Sequence, residues 1–520
     1  MRRTLIASIT TLVPGLVFAQ PAPAPPADEP APQPEPEPQP QPSLVTAPTT
    51  NAPPGLVEPT PPAVVEPEAP PIANGSLFNA DPNEGRARSS DPFGWADWTW
   101  LTGNPRTPDN PLKWGPFTGE FRLDTVLHYS FNHPKDDTIG GSSEVFRHGE
   151  NQVTQIGFGG DFNHKDVHGR LMTQFGMYSQ TTPRNDPTPE RGQWNLADAY
   201  RYISEGYAGY HINKFGGINI QAGIFMSYVG LWSYYNFDNW TYQPSYVSSN
   251  TPWFFNGMRI QWFPTPKLKI EPWFVNGWQA YGRYNNTPGS DGFGGGGQIL
   301  WRPTSWLSIL GNQYYGADTL GVPDRKRIHT DDSIQIKWYE NAKGPINRVA
   351  STLTVDAGCE WGGGVSCFGG NASSPSQYFL GFMAYTRAWF GDYKWGATVG
   401  GGTITNPGRY LVLVPPINGA TAFSGAAPFY TYNPGDPFKA WDTQVTLDYM
   451  PRPYITFRAE FNYRHASIPY FSGPNGVTPP GGNQGAPGSV IDGDGDGVPD
   501  WEPDLVKNEP RLSFAMLLKL

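Results

Sequence analysis

Beyond its first twenty residues the chain has no run of about 20 apolar residues, the length a helix needs to cross a bilayer, so no helical anchor is expected there. A membrane barrel stays open, because it carries its apolar surface on alternate residues and escapes window averages. Charge is scarce. Asp, Glu, Lys and Arg make up 16% of 520 residues and sum to −10 at pH 7, which gives no support for nucleic-acid binding. There are two cysteines, Cys359 and Cys367, with no histidine near them, so a zinc cluster is excluded. G-x-S-x-G, H-E-x-x-H and a phosphate-cradling P-loop are absent and the eight histidines are dispersed. No catalytic residue is therefore expected, and the chain does not read as an enzyme. What it has in abundance is Gly (61), Pro (57) and aromatic side chains (14%), a turn-rich, ring-rich composition.

In chain order, Arg2-Arg3, a short apolar stretch and Val17-Phe18-Ala19 make residues 1–19 a signal peptide for export. Residues 20–73 are Pro, Ala, Glu and Gln, a disordered Pro-rich linker that cannot bury a core. Residues 74–116, with Trp95, Trp98 and Trp100, are expected to be an aromatic lead-in or plug. In an exported protein Cys359 and Cys367, eight apart in a Gly-rich segment, are expected to form a disulfide.

Residues 117–520 alternate. In Trp253–Trp278 the residues Phe254, Met258, Ile260 and Trp262 share one parity against Gly257, Arg259 and Gln261. After Pro264 and Pro266, Leu268, Ile270 and Phe274 face Lys269 and Glu271. Period two means strands with one apolar and one polar face, and prolines that cannot donate to a ladder mark the turn. The aromatic-proline-aromatic turn recurs at Trp301–Trp306 and Tyr449–Tyr454, as interfacial rings would. Sixteen such segments follow one another, among them 117–131, 167–180, 253–263, 267–278 and 510–520, with short and long connections alternating. The expected fold is all-β: a transmembrane up-and-down antiparallel β-barrel of about 16 strands behind a disordered Pro-rich tail. Ile260, Ile270, Phe457, Phe461 and Phe514 are expected to face lipid.

GEFRLDTVLHYSFNHP, SYYNFDNWTYQPSYV and FVNGWQ resemble the putative β-barrel porin-2 (OmpL-like) family of Gram-negative outer membranes. The resemblance spans about Phe117 to Leu520. It implies a passive, water-filled channel for small hydrophilic solutes in the outer membrane after export. The chain departs from the usual Phe or Trp end of such barrels by closing on Leu520.

With the apolar parity in lipid, the opposite parity is expected to line the pore: Glu120, Arg122, Asp124, Arg170, Glu205, Arg259, Lys269, Glu271, Lys337, Arg348, Arg387, Arg458, Glu460 and Arg464. One acidic segment stands apart. Asp492, Asp494, Asp496 and Asp500 fall in a D-x-D-x-D-G-x-x-D pattern, oxygen ligands around Gly turns that suit Ca²⁺, so Ca²⁺ is the one expected cofactor. Expected partners are outer-membrane lipid and solutes, with a homo-trimer left open and nucleic acid excluded. Two other classes fit the composition: a secreted β-rich glycan-binding or glycan-cleaving protein, and a structural or adhesive surface barrel.

Overall fold

The computed structural model describes residues 111–142, 144–285, 294–371, 376–408, 438–478, 480, 495 and 500–520. The export signal, the Pro-rich linker, the Trp95–Trp100 segment and all but Asp500 of the four acidic-loop residues lie outside these.

Sixteen long strands form one antiparallel sheet that closes on itself, and a two-residue strand, Lys113–Trp114, adds to the start of the first of them. They are β1 (Phe117–Ser130), β2 (Asn151–His164), β3 (Val167–Thr173), β4 (Ile203–Ile212), β5 (Ile218–Met226), β6 (Phe254–Thr265), β7 (Leu268–Val275) and β8 (Gly294–Thr304). Then come β9 (Leu307–Gly316), β10 (Lys326–Glu340), β11 (Ile346–Trp361), β12 (Tyr378–Phe390), β13 (Trp395–Asn406), β14 (Phe438–Arg452), β15 (Ile455–Ala466) and β16 (Asn508–Lys519). Each pairs with its neighbours in sequence, and β16 closes the ring onto β1, from Arg511↔Ser130 to Lys519↔Arg122. Closure removes the sheet edge, so every strand has a hydrogen-bonded neighbour on both sides, the condition for standing in hydrocarbon. The ladder reaches the last residue: Leu520 and Phe121 exchange backbone hydrogen bonds at 2.9 and 3.1 Å.

Alternation sets the two faces. On β14 and β15 the buried residues include Asp442, Gln444, Thr446, Asp448, Arg458, Glu460, Asn462 and Arg464, with Phe438, Ala440, Met450 and Ala466 toward the strand ends, while Trp441, Val445, Leu447, Tyr449, Phe457 and Phe461 point outward. Polar residues therefore fill the interior and apolar residues cover the outside, the reverse of a soluble barrel. Trp262, Trp301, Trp306, Trp338, Trp395 and Tyr449 ring the short-turn end; Tyr129, Tyr315, Trp361 and Trp441 mark the long-loop end. No described helix is long and apolar enough to cross a membrane.

Two expectations need correction. The third strand, expected over 167–180, stops at Thr173, because Gly176 takes φ +99° and the chain turns into the barrel as a short helix, α1 (Tyr178–Thr181). The strand expected to run to Trp278 stops at Val275, and Trp278 is buried inside the barrel against Tyr314 and His329.

Cys359 and Cys367 are joined by a disulfide at the loop end of β11. It closes a short loop, worth about 2–3 kcal/mol by chain entropy. Cys359→Ser with Cys367→Ser is expected to lower the unfolding free energy by no more than that and to leave the strand ladder intact, as read by urea titration of refolded protein.

Candidate functional site: the lumen and its folded-in loop

Residues 227–253, SYVGLWSYYNFDNWTYQPSYVSSNTPW, connect β5 to β6. A loop of this length would be hydrated if it lay outside the barrel. Instead every residue from Tyr235 to Val247 is buried. Local hydrogen bonds give the loop its shape: Asn239 clamps Ser233, accepting from its N–H at 2.8 Å and donating to its carbonyl at 2.8 Å. Ser245 caps the short helix α2 (Tyr246–Ser249). Its rings pack on the inner wall, Trp240 against Trp389 and Trp232 against Tyr385.

Buried backbone needs partners, and the wall's charges supply them. Arg458 donates to the carbonyls of Asn236, Thr241 and Asn239 at 3.0, 2.8 and 2.6 Å, and pairs with Asp448 at 2.7 Å. Arg387 completes the triad, 2.7 Å from Asp448 and 3.2 Å from the Trp240 carbonyl. Arg464 donates to the carbonyls of Pro244 and Gly141 at 2.7 and 2.6 Å. The carboxylates take the opposite groups. Glu460 accepts the N–H groups of Tyr242 and Gln243, Asp442 accepts that of Tyr246, and Asp124 accepts from the Asn236 amide and the Tyr242 hydroxyl.

The loop thus lies against β12, β14, β15 and β1, and leaves open the side of the lumen bounded by β1–β9. A cavity of about 430 Å³ remains there. Its wall carries both signs. Glu120, Glu144, Asp161, Glu205, Asp238 and Glu271 face Arg122, Arg170, Arg259, Lys269 and Lys519. Arg170 sits at the centre, 3.0 Å from Glu120, 3.0 Å from Asp161 and 2.8 Å from Glu205. Arg122 bonds Glu120 and reaches the loop's Asp238 at 2.9 Å. Lys269 bonds Glu271, and Arg259 lies 3.6 Å from the same carboxylate and over the Phe225 ring. Tyr178, Trp232, Tyr234, Tyr235, Trp253 and Trp273 supply the ring surface of the same space.

The fourteen residues expected to line a pore all lie on the inner side, but they divide. Glu120, Arg122, Arg170, Glu205, Arg259, Lys269 and Glu271 line the cavity. Asp124, Arg387, Arg458, Glu460 and Arg464 are covered by the folded-in loop and hold it, a correction to their expected contact with water. Lys337 and Arg348 pair with Glu340 near the short-turn end, with Arg348 over the Trp389 and Tyr393 rings. Glu144, Asp161, Asp238 and Lys519 were missed. The parity of β2 and β16 marks Asp161 and Lys519, whereas nothing local marks Asp238. Asp500 is exposed, and Asp492, Asp494 and Asp496 lie outside the described residues.

At the loop end, Asp136 ties residues 131–150 to 467–478. It accepts the Val477 and Thr478 N–H groups at 2.8 Å each and the Thr478 hydroxyl at 2.7 Å. Burial works to raise its pKa, but the Thr478 hydroxyl and the amides of Val477, Thr138 and Thr478 outweigh it and hold the carboxyl below its usual range. A depressed carboxyl pKa contributes stability above the unfolded value of about 3.9 and loses it as pH falls through the folded value. Acidification below about pH 4 is expected to release this tie. Amide exchange at Val477 and Thr478, corrected for intrinsic rate, should then rise, and Asp136→Asn should show fast exchange at neutral pH.

No curated protein matches the chain. Among solved structures, it is similar to an anion-selective porin from Comamonas acidovorans (8% identity, TM-score 0.42, covering 78% of this chain and 99% of that one). It is also similar to the outer membrane channel DcaP of Acinetobacter baumannii (9%, 0.43, 78% and 97%) and to OprB of Pseudomonas putida (9%, 0.41, 78% and 94%). From the first residue of β1 to just past the end of β11, residues 117–363 match the family model described as putative beta-barrel porin-2, OmpL-like, and over that stretch the chain is similar to that family.

Proposed function

We propose that this porin passes small hydrophilic solutes by diffusion through the space that the 227–253 loop leaves along β1–β9. The observation that carries this is the mixed lining of that space, with six carboxylates and five basic groups on about 430 Å³. A solute that exchanges hydration for such groups keeps its hydrogen bonds without paying a net Coulomb penalty of either sign. The volume is at the lower end of what a small-molecule site offers, which favours solutes of sugar or amino-acid size over oligomers. Swelling of liposomes holding the refolded chain tests this. Monosaccharides and neutral amino acids should enter and tetrasaccharides should be held back. Equal exclusion of all of them by inserted protein would favour a barrel with a structural role.

For the acidic loop, a calcium site at Asp492, Asp494, Asp496 and Asp500 is proposed on the spacing of its carboxylates alone. Calorimetry of the refolded chain should show saturable Ca²⁺ binding that Asp494→Asn with Asp496→Asn removes; no heat at millimolar calcium would overturn it.

A further inference from the structure

Between its two aromatic levels the outer wall carries apolar and small uncharged side chains and one charged one. On β10 the residues Ile328, Asp332, Ile334, Ile336 and Trp338 are exposed and point outward. Asp332 stands six residues from Trp338 at the short-turn end and four from Ile328, whose partner Tyr315 marks the loop end. At about 3.3 Å per residue and a tilt near 40°, these are about 15 and 10 Å, which together fill an apolar band about 25 Å tall. Asp332 therefore lies well inside the band. Among the described strand residues it is the sole Asp, Glu, Lys or Arg on the outer face between the aromatic levels.

Its surroundings are polar and small. The Gln313 amide donates to the Thr330 hydroxyl at 2.8 Å. That hydroxyl lies 2.9 Å from Asp332 Oδ2 and 2.9 Å from the Asn312 carbonyl. With one proton it serves one of them. Asp332 Oδ1 takes the Asn312 N–H at 3.2 Å. Outward threonines elsewhere hide their hydroxyls on a neighbouring carbonyl, as Thr443 does on Gly400 and Thr403 on Ala440. A carboxylate has no proton to donate and cannot do so. Beside it, Gly311 on β9 and Gly295 and Gly297 on β8 leave the wall without side chains.

In hydrocarbon, ionisable groups face protein or water, and small residues mark where two backbones come close. We infer that the β8–β10 wall centred on Asp332 is the contact with a second copy of this chain. The patch is self-complementary. Gln313 is exposed and has an amide proton beyond the one given to Thr330, and Asp332 needs donors while no outward cation in the band could meet it. About a cyclic axis, Gln313 of one copy donates to Asp332 of the next, as symmetric contacts allow. The inference rests on the barrel's place in the membrane and not on which solute passes.

The test uses the full chain in native outer membranes, where its own two cysteines are already joined. Gln313→Cys should give, on mild oxidation, a covalent species of twice the protomer mass. Phe158→Cys, outward on the opposite wall, should give none above background. In mild detergent the parent chain should sediment as a multiple of the protomer and Asp332→Leu as the protomer, with unitary channel steps unchanged in both. Equal cross-linking at the two positions, a product with a protein of different mass, or a parent chain that sediments as a protomer would each overturn the inference.

Discussion

Arg458→Met is expected to open the channel without opening the barrel. The guanidinium is buried, shares Asp448 with Arg387 and holds three carbonyls of the folded-in loop. Methionine keeps much of the volume and none of the donors. Removing one partner of a buried, hydrogen-bonded pair costs about 3–5 kcal/mol, because the remaining groups are left desolvated. That cost can be relieved in two ways. Unzipping the wall would break ladder bonds on both sides of a strand, since the ring has no edge. Lifting residues 236–241 into water breaks fewer, although it gives up the Asn236–Asp124 and Asp238–Arg122 bonds and the packing of Trp240 on Trp389. The loop should therefore leave the wall while insertion stays at the parental level. Single-channel conductance should rise, and protease should cut the loop in inserted protein. Unchanged conductance with a protected loop would show that the ring contacts alone hold it.

Val445→Arg is expected to act in the opposite place. Val445 points outward on β14, 55% exposed, four residues from Trp441 on one side and four from Tyr449 on the other. That places it at mid-height, where an arginine facing lipid costs about 2–4 kcal/mol. Folding yield into bilayers should fall, and the urea midpoint of the inserted fraction should drop. Val445→Leu should do neither. Position matters for such a test. Ile270 also faces outward, but it pairs with Trp262 at the aromatic level, where an arginine can reach the headgroups at little cost. Parental yield for Val445→Arg would mean that this wall does not meet lipid.

These two sites also show what the sequence could tell. Val445 and Arg458 were assignable to opposite faces by parity alone, because a barrel in lipid repeats the apolar-polar choice at every second residue. The strand number followed from the alternation of short and long connections, each short one fitting a tight turn. Parity says which way a side chain points, but not what lies in front of it. The loop at 227–253 has no period. Its burial depends on partners such as Arg458 and Asn239, 219 residues apart, and no local pattern announces them. Asp124, Arg387, Glu460 and Arg464 were read as wetted for the same reason. At residues 174–180 the apolar alternation continued past the strand, and Gly176, free to take positive φ, turned the chain inward instead.

The account's central claim is a continuous aqueous path beside the folded-in loop, and the conductance of single refolded molecules in a planar bilayer tests it most directly. Discrete, ohmic steps are predicted for the full chain, with weak ion selectivity because acidic and basic groups nearly balance along the cavity. Protein that is inserted, as judged by protease protection of its strands, and yet gives no steps would contradict it.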